Sequence, residues 1–221
     1  MLINRKYIMA ITGLFLCIFL IVHLSANFLL LLPNNLAKEA YNTYSHLLRN
    51  NPLISAVSIL LYLAIIFHSV MALIITLDNK KAKPQKYFMN YAQQNSSWNS
   101  RNMGLLGLMI LIFIIVHMAN FWAKVKLGYG PELPIDSKGQ IDIYSVVVTT
   151  LKNPFITLFY TILSIPLAMH LHHGVQSAAK TLGLYHKRYL KYVALIATFY
   201  SCVMGLGFGL IPLYIYFFSQ G

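Results

Sequence analysis

Residues 13–23 read GLFLCIFLIVH and residues 107–117 read GLMILIFIIVH. Neither run carries a charge, both end on histidine, and seven of the eleven positions are identical. Without a polar face, such a run is neither a half-exposed strand nor an amphipathic surface helix. It reads as the middle of a helix with apolar material on every side. Extended outward, the two runs lie within apolar stretches at about 8–32 and 103–125, and three more occur at about 53–77, 154–179 and 190–218. Roughly 20 apolar residues span the ~30 Å hydrocarbon core of a bilayer as a helix. The expectation is an all-α integral membrane protein with five transmembrane helices, one domain over residues 1–221, and little room for a soluble catalytic module. The first stretch, Ile8 to Leu32, is too long for a secretory signal, whose apolar region is about 7–15 residues.

Composition agrees. The chain is 58% hydrophobic and 10% charged, against roughly 25% charged in soluble domains. The net charge of +12 could suggest nucleic acid, but its distribution argues against that partner. Eleven basic residues (Arg5, Lys6, Lys80, Lys81, Lys83, Lys86, Arg101, Lys180, Lys187, Arg188 and Lys191) flank one side of the spans with a single acid, Asp78. On the other side Lys38, Arg49, Lys124, Lys126, Lys138 and Lys152 are offset by Glu39, Glu132, Asp136 and Asp142. The positive-inside rule puts the first set, and the N-terminus, in the cytoplasm. Part of that charge would meet lipid headgroups, and the rest is open to a soluble partner. Cys17 and Cys202 lie inside spans and read as packing residues.

The two quoted runs are copies in spans that cross in the same direction. Spans 2 and 4 run back, and each carries a histidine followed four residues later by a small residue: His68 with Ala72, His170 with Gly174. In the outer loop 33–52, AKEAYNTYSHLLR at 37–49 suggests an interfacial helix with Tyr41, Tyr44, Leu47 and Leu48 facing lipid or protein, ended by Asn51-Pro52. The inner loop 78–102 is polar and long enough to form a docking surface. The outer loop 126–153 holds Gly, Pro and Asp turn signals, and Pro166 predicts a kink in span 4.

An ionisable residue in hydrocarbon is a functional hypothesis by default. One buried histidine is as well explained by an interhelical hydrogen bond; four at two depths are not. At 1.5 Å per residue, His23 lies roughly 25 Å from Lys6 and His117 roughly 24 Å from Arg101, whereas His68 and His170 lie roughly 15–18 Å from the inner edge. His23 therefore pairs with His117 near the outer side, and His68 with His170 nearer the inner side. The levels differ by about 8–10 Å, too far for one tetrahedral metal site. Two donors at each level suit a haem iron gripped on opposite faces. Zinc or copper usually takes three or four ligands. Bis-histidine ligation leaves no open position and points to electron transfer. In the HLHHG of span 4, His170 is preferred, His173 is second and open to a propionate contact, and His172 turns away. His46 and His186 lie outside the spans and read as surface residues.

These features resemble the dihaem cytochrome b membrane subunit of succinate:quinone oxidoreductases and quinol:fumarate reductases. The resemblance covers nearly the whole chain. It rests on five spans with histidines in the first four, and on IVHLSAN in span 1, FHSVMA in span 2, SSWNSR in the inner loop and HLHHGVQS in span 4. It implies a haem-binding four-helix bundle plus a fifth helix. Two haems b would have His68 and His170 on the inner one and His23 and His117 on the outer one. It further implies a flavoprotein and an iron–sulfur subunit on the cytoplasmic face, a quinone (menaquinone is the expected form) as substrate, and the inner (cytoplasmic) membrane of a prokaryote. A dimer of the whole complex is open. Some fumarate reductases of this family carry a glutamate two residues before the span-4 ligand; here that residue is Ala168.

Haem propionates need donors near the interfaces. Ser97, Ser100, Arg101, Lys180 and His173 are candidates at the inner haem, with snorkelling to headgroups the competing role for the two cations. Asn27 and Asn120, one turn beyond His23 and His117, could meet the outer haem, a quinone or one another. Other readings are a dihaem cytochrome b of a hydrogenase or formate dehydrogenase, a membrane di-iron hydroxylase suggested by HLHH, and a transporter with structural histidines.

Overall fold

The computed structural model describes residues 2–81, 98–184 and 186–219. It is all-helical, and five of its helices are long and apolar enough to span a membrane. This is a membrane protein by length and composition. In chain order the helices are α1 (Leu2–Asn27), α2 (Asn34–Arg49), α3 (Pro52–Lys81), α4 (Trp98–Arg101), α5 (Met103–His117), α6 (Lys124–Leu127), α7 (Ile143–Leu151), α8 (Pro154–Thr181) and α9 (Lys187–Phe218). A 3-10 turn, Phe28–Leu31, extends α1, and a π-helical segment, Met118–Ala123, joins α5 to α6. The five spans are α1 with its 3-10 turn, α3, the run α5 to α6, α8 and α9.

Helices α1, α3, α5 and α8 touch in a closed cycle, α1 to α3, α3 to α5, α5 to α8 and α8 to α1. Helix α9 lies along α8 and also touches α1. Its packing on α8 depends on missing side chains. A Cβ at Gly205 would come within 2.7 Å of the Ala168 Cβ, one at Gly209 within 2.7 Å of the Ser164 Oγ, and one at Gly207 within 2.7 Å of Leu24 on α1. Close approach of this kind is how membrane helices associate when lipid is as apolar as the side chains. Gly205→Val should therefore destabilise the α8–α9 contact by about 1–3 kcal/mol. Unfolding in a detergent denaturation series would read it, and an unchanged midpoint would refute the close packing.

The core lies toward the C-terminal end of α1, where Leu24 and Leu30 meet Ala37 of α2, Tyr144, Val147, Val148 and Leu151 of α7, and Ile211 and Ile215 of α9. Helices α3 and α5 bury only Ala64 and Leu106, so most of their surface faces outward. Helix α2 forms where its amphipathic pattern predicts and ends at Arg49, ahead of Asn51-Pro52. Its expected outer face divides: Tyr41 packs on the core, whereas Leu47 is 67% exposed. Helix α8 begins with Pro154 behind an Asn153 cap that accepts from the Phe155 and Ile156 amides. It runs as one helix through Pro166.

The loop 126–153 departs from the turn-rich reading. Residues 143–151 form α7, with Tyr144, Val146, Val147, Val148, Thr150 and Leu151 buried. The missed start signal is Asp142, whose carboxylate accepts from the Ser145 amide at 3.0 Å as a helix cap. Asp142 also accepts from Asn42 at 2.8 Å and from the Ser145 hydroxyl at 2.6 Å, and pairs with Lys38 at 2.8 Å. The Asn42 side-chain oxygen in turn accepts from the Tyr144 amide at 2.9 Å. This network clasps α2 to α7. Burial alone would raise the Asp142 pKa, but Lys38, Ser145 and Asn42 together hold it at about 2, below the ordinary 3.8. A depressed carboxyl stabilises the fold fully above its unfolded pKa and loses that contribution as pH falls through the folded one. Asp142→Asn should cost roughly 2 kcal/mol at pH 7. That difference should shrink between about pH 4 and pH 2; a pH-independent difference would exclude the carboxylate as its source.

Two histidines expected on the surface have structural partners. His46 lies 3.4 Å from the Asp136 carboxylate, and His186 caps α9 by accepting from the Arg188 amide. Among the described residues Cys17 and Cys202 are both free thiols.

Candidate functional site

Each span histidine stands on a different helix of the α1–α3–α5–α8 cycle: His23 on α1, His68 on α3, His117 at the end of α5, His170 on α8. The structure brings them together in pairs. The His23 and His117 rings lie 5.8 Å apart, edge to face at 89°. The His68 and His170 rings lie 6.4 Å apart at 68°. Both pairs join helices on opposite sides of the cycle.

Aromatic rings line the outer pair. Phe19 stacks on His23 at 5.2 Å and Phe113 stacks on His117 at 5.6 Å. Each phenylalanine stands one turn before its histidine, so the side chains share a helix face. Phe208 of α9 lies 5.8 Å from His23, Phe121 lies 5.1 Å from His117, and Tyr160 of α8 lies 6.0 Å from His117. The π-helical segment begins directly after His117, a feature frequent at functional sites.

Glycines clear space beside the inner pair. A Cβ at Gly13 would stand 3.2 Å from Cε1 of His68, and one at Gly107 would stand 3.6 Å from Cε1 of His170. Thr12 Oγ1 lies 3.1 Å from His68 Nδ1. The Nδ1 atoms of His170 and His117 are buried with no hydrogen-bond partner among the described residues. Of the three histidines on α8, His170 is the one whose ring faces His68. His172 contacts Gln176 of its own helix at 3.1 Å, and His173 is half-buried. A Cβ at Gly174 would meet nothing within 4 Å.

The asparagines one turn beyond the outer pair diverge. Asn27 donates to the His23 carbonyl at 2.7 Å, within its own helix. Asn120 donates across to the Tyr160 hydroxyl at 3.2 Å. Both are engaged in structural bonds and not with one another. Among the inner candidates, Ser97 lies outside the described residues. Ser100 and Arg101 are on α4, which docks on α8 through Asn99 donating to the Met169 carbonyl at 3.3 Å. Lys180 is in the last turn of α8. None of these three is without a partner. Ala168 packs against Gly205, so a longer side chain there would push α9 away.

Two imidazoles sharing one iron, at bonds of about 2 Å, hold their ring centroids roughly 6 Å apart. The two pairs have that separation, and the donor type suits bis-histidine haem. Among the described residues no three or more His, Cys, Asp or Glu come together, which is what a closed zinc site or a histidine-clustered di-iron site would need. The structure thus offers two pairs of imidazole donors, each drawn from two facing helices, one pair beside stacked phenylalanines and the other against glycines.

Phe19, Phe113, Gly13, Gly107, Thr12 and Tyr160 were not among the sequence candidates. The signal for four of them was present, since the glycines and phenylalanines are identities of the repeat. In comparisons with known proteins, no family model, no curated protein and no solved structure matches this chain.

Proposed function

We propose that the chain is the membrane-anchor cytochrome b subunit of a succinate:quinone oxidoreductase or quinol:fumarate reductase. The observation that carries this reading is the pair of histidine couples at 5.8 and 6.4 Å, drawn from four different helices. In this reading His23 and His117 hold the outer of two haems b, and His68 and His170 hold the inner one. Helices α1, α3, α5 and α8 form the haem-binding bundle, with α9 beside it. The haems, when bound, carry single electrons between an iron–sulfur subunit and a membrane quinone. Two histidines per haem would hold each iron and would suit electron transfer, and aromatic rings line the His23–His117 site.

The charge asymmetry supports a cytoplasmic N-terminus and a flavoprotein and iron–sulfur partner on the basic face. The location proposed is the inner membrane of a prokaryote. Succinate chemistry belongs to the partners, so the chain alone would oxidise no succinate. Protons would reach the quinone by a route other than a carboxylate at position 168, which is alanine.

The test is purification of the native complex, with a pyridine haemochrome assay, a reduced-minus-oxidised spectrum and identification of the copurifying chains. Two haems b per chain together with a flavoprotein and an iron–sulfur protein support the reading. A chain that carries no haem overturns it. Two haems with a hydrogenase or formate dehydrogenase module would keep the site and replace the complex.

A further inference from the structure

The hydroxyl of Thr12 has one hydrogen, and it is committed. Thr12 Oγ1 donates to the Ile8 carbonyl of its own helix at 2.7 Å, with a weaker approach to the Met9 carbonyl at 3.3 Å. Such back-bonding to the preceding turn is the ordinary resting place of a threonine in a membrane helix. What remains on Oγ1 is acceptor capacity. The contact of 3.1 Å to His68 Nδ1 is then a bond in which the imidazole donates and Thr12 accepts. A neutral imidazole has one N–H, so Nε2 of His68 is left with its lone pair. The tautomer and the ring direction of His68 are both set from α1.

The facing residue has no such support. His170 Nδ1 is buried without a partner among the described residues. The repeat accounts for the difference. Thr12 immediately precedes Gly13, which faces His68, and Leu106 immediately precedes Gly107, which faces His170. A hydroxyl in the first copy is replaced by an isobutyl group in the second. The two halves of the protein, alike in their glycine, phenylalanine and histidine, are unlike at this position.

We infer that Thr12 is a positioning residue for His68. It holds the imidazole as the Nδ1–H tautomer with Nε2 presented toward His170, and makes His68 the more basic ligand of the inner pair. An acceptor on the far nitrogen raises the basicity of a ligating imidazole and stabilises the more positive metal state. The inference rests on the haem reading for its redox consequence, but not for the hydrogen bond itself.

The experiment has two arms, both on the full chain. In the native complex, Thr12→Val keeps the shape and removes the acceptor, while Thr12→Ser restores it. Potentiometric titration should show one haem shifted to higher potential in Thr12→Val, by about tenfold in its reduction equilibrium, or about 59 mV for one electron. The other haem should stay unshifted, and Thr12→Ser should lie near the parent. Both haems unshifted at full occupancy in Thr12→Val would overturn the inference, as would a shift of the same size in Thr12→Ser. In the haem-free chain in lipid, nitrogen NMR of labelled histidine should show His68 protonated at Nδ1 and lose that preference in Thr12→Val. A parent His68 protonated at Nε2 would overturn the inference by itself. A parent chain that binds no haem but keeps the Nδ1–H signal would sink the cytochrome reading and leave the Thr12 bond standing.

Discussion

Replacing His68 with alanine is expected, on the proposed two-haem reading, to halve the haem content, from two haems per chain to one. The two pairs are separate constructions. The outer pair is walled by Phe19, Phe113, Phe121, Phe208 and Tyr160, and none of these contacts passes through His68. On that reading the alanine variant would leave His170 alone to hold one haem, while His23 and His117 would both remain to hold the other. The haemochrome assay on purified, membrane-inserted protein gives the count directly. Loss of both haems from a folded chain, or of neither, would contradict two independent sites. His173→Ala is the companion variant, and it should retain both haems, because the ring facing His68 is that of His170.

The second large effect is expected from a residue that binds nothing. Gly13→Leu should, on the same reading, weaken retention of the haem at His68 without replacing a ligand. A Cβ at position 13 already lies 3.2 Å from the His68 ring, tighter than ordinary contact. Alanine asks the imidazole to give by only a few tenths of an ångström. The branched end of leucine would stand where the ring is and drive His68 off its direction toward His170. Overpacking a well-fitted site costs about 1–3 kcal/mol, and disturbing the groups that orient a metal ligand weakens a site roughly ten- to a hundredfold. Inner-haem retention should fall in the order Gly13, Ala, Leu, with the outer haem unaffected. Equal retention in all three would show that the close approach at Gly13 does not position His68.

Much of this was legible in the repeat. Its identities were read as evidence of duplication, with the histidine as the chemical residue. Gly13, Gly107, Phe19 and Phe113 were equally part of it. Their roles were hidden because Gly13 acts on a histidine of another helix, and linear sequence does not say which helices are neighbours. The divergence one turn beyond was hidden for a different reason. Asn27 stands four residues after its histidine, at the end of α1, whereas Asn120 stands three after its own, inside the π segment. Asn27 bonds back to the His23 carbonyl of its own helix, while Asn120 reaches Tyr160 on α8, a partner on another helix that the sequence does not mark. Helix α7 was missed because its valines and leucine face the core beneath a capped turn, in a loop read for its glycines and prolines.

The sequence by itself determined that this chain is a helical membrane protein with five spans and a histidine in each of the first four. Twenty apolar residues in a row admit few other structures, since every backbone N–H and C=O must be satisfied within the helix when lipid offers no partner. Helical rise, counted from the basic residues at the span ends, also ordered those histidines into two depths. The tertiary structure decided which ring faces which, which helix clears the space, and that Thr12 meets His68 while His170 has no counterpart. Those are distances between side chains on different helices, set by close packing over small residues.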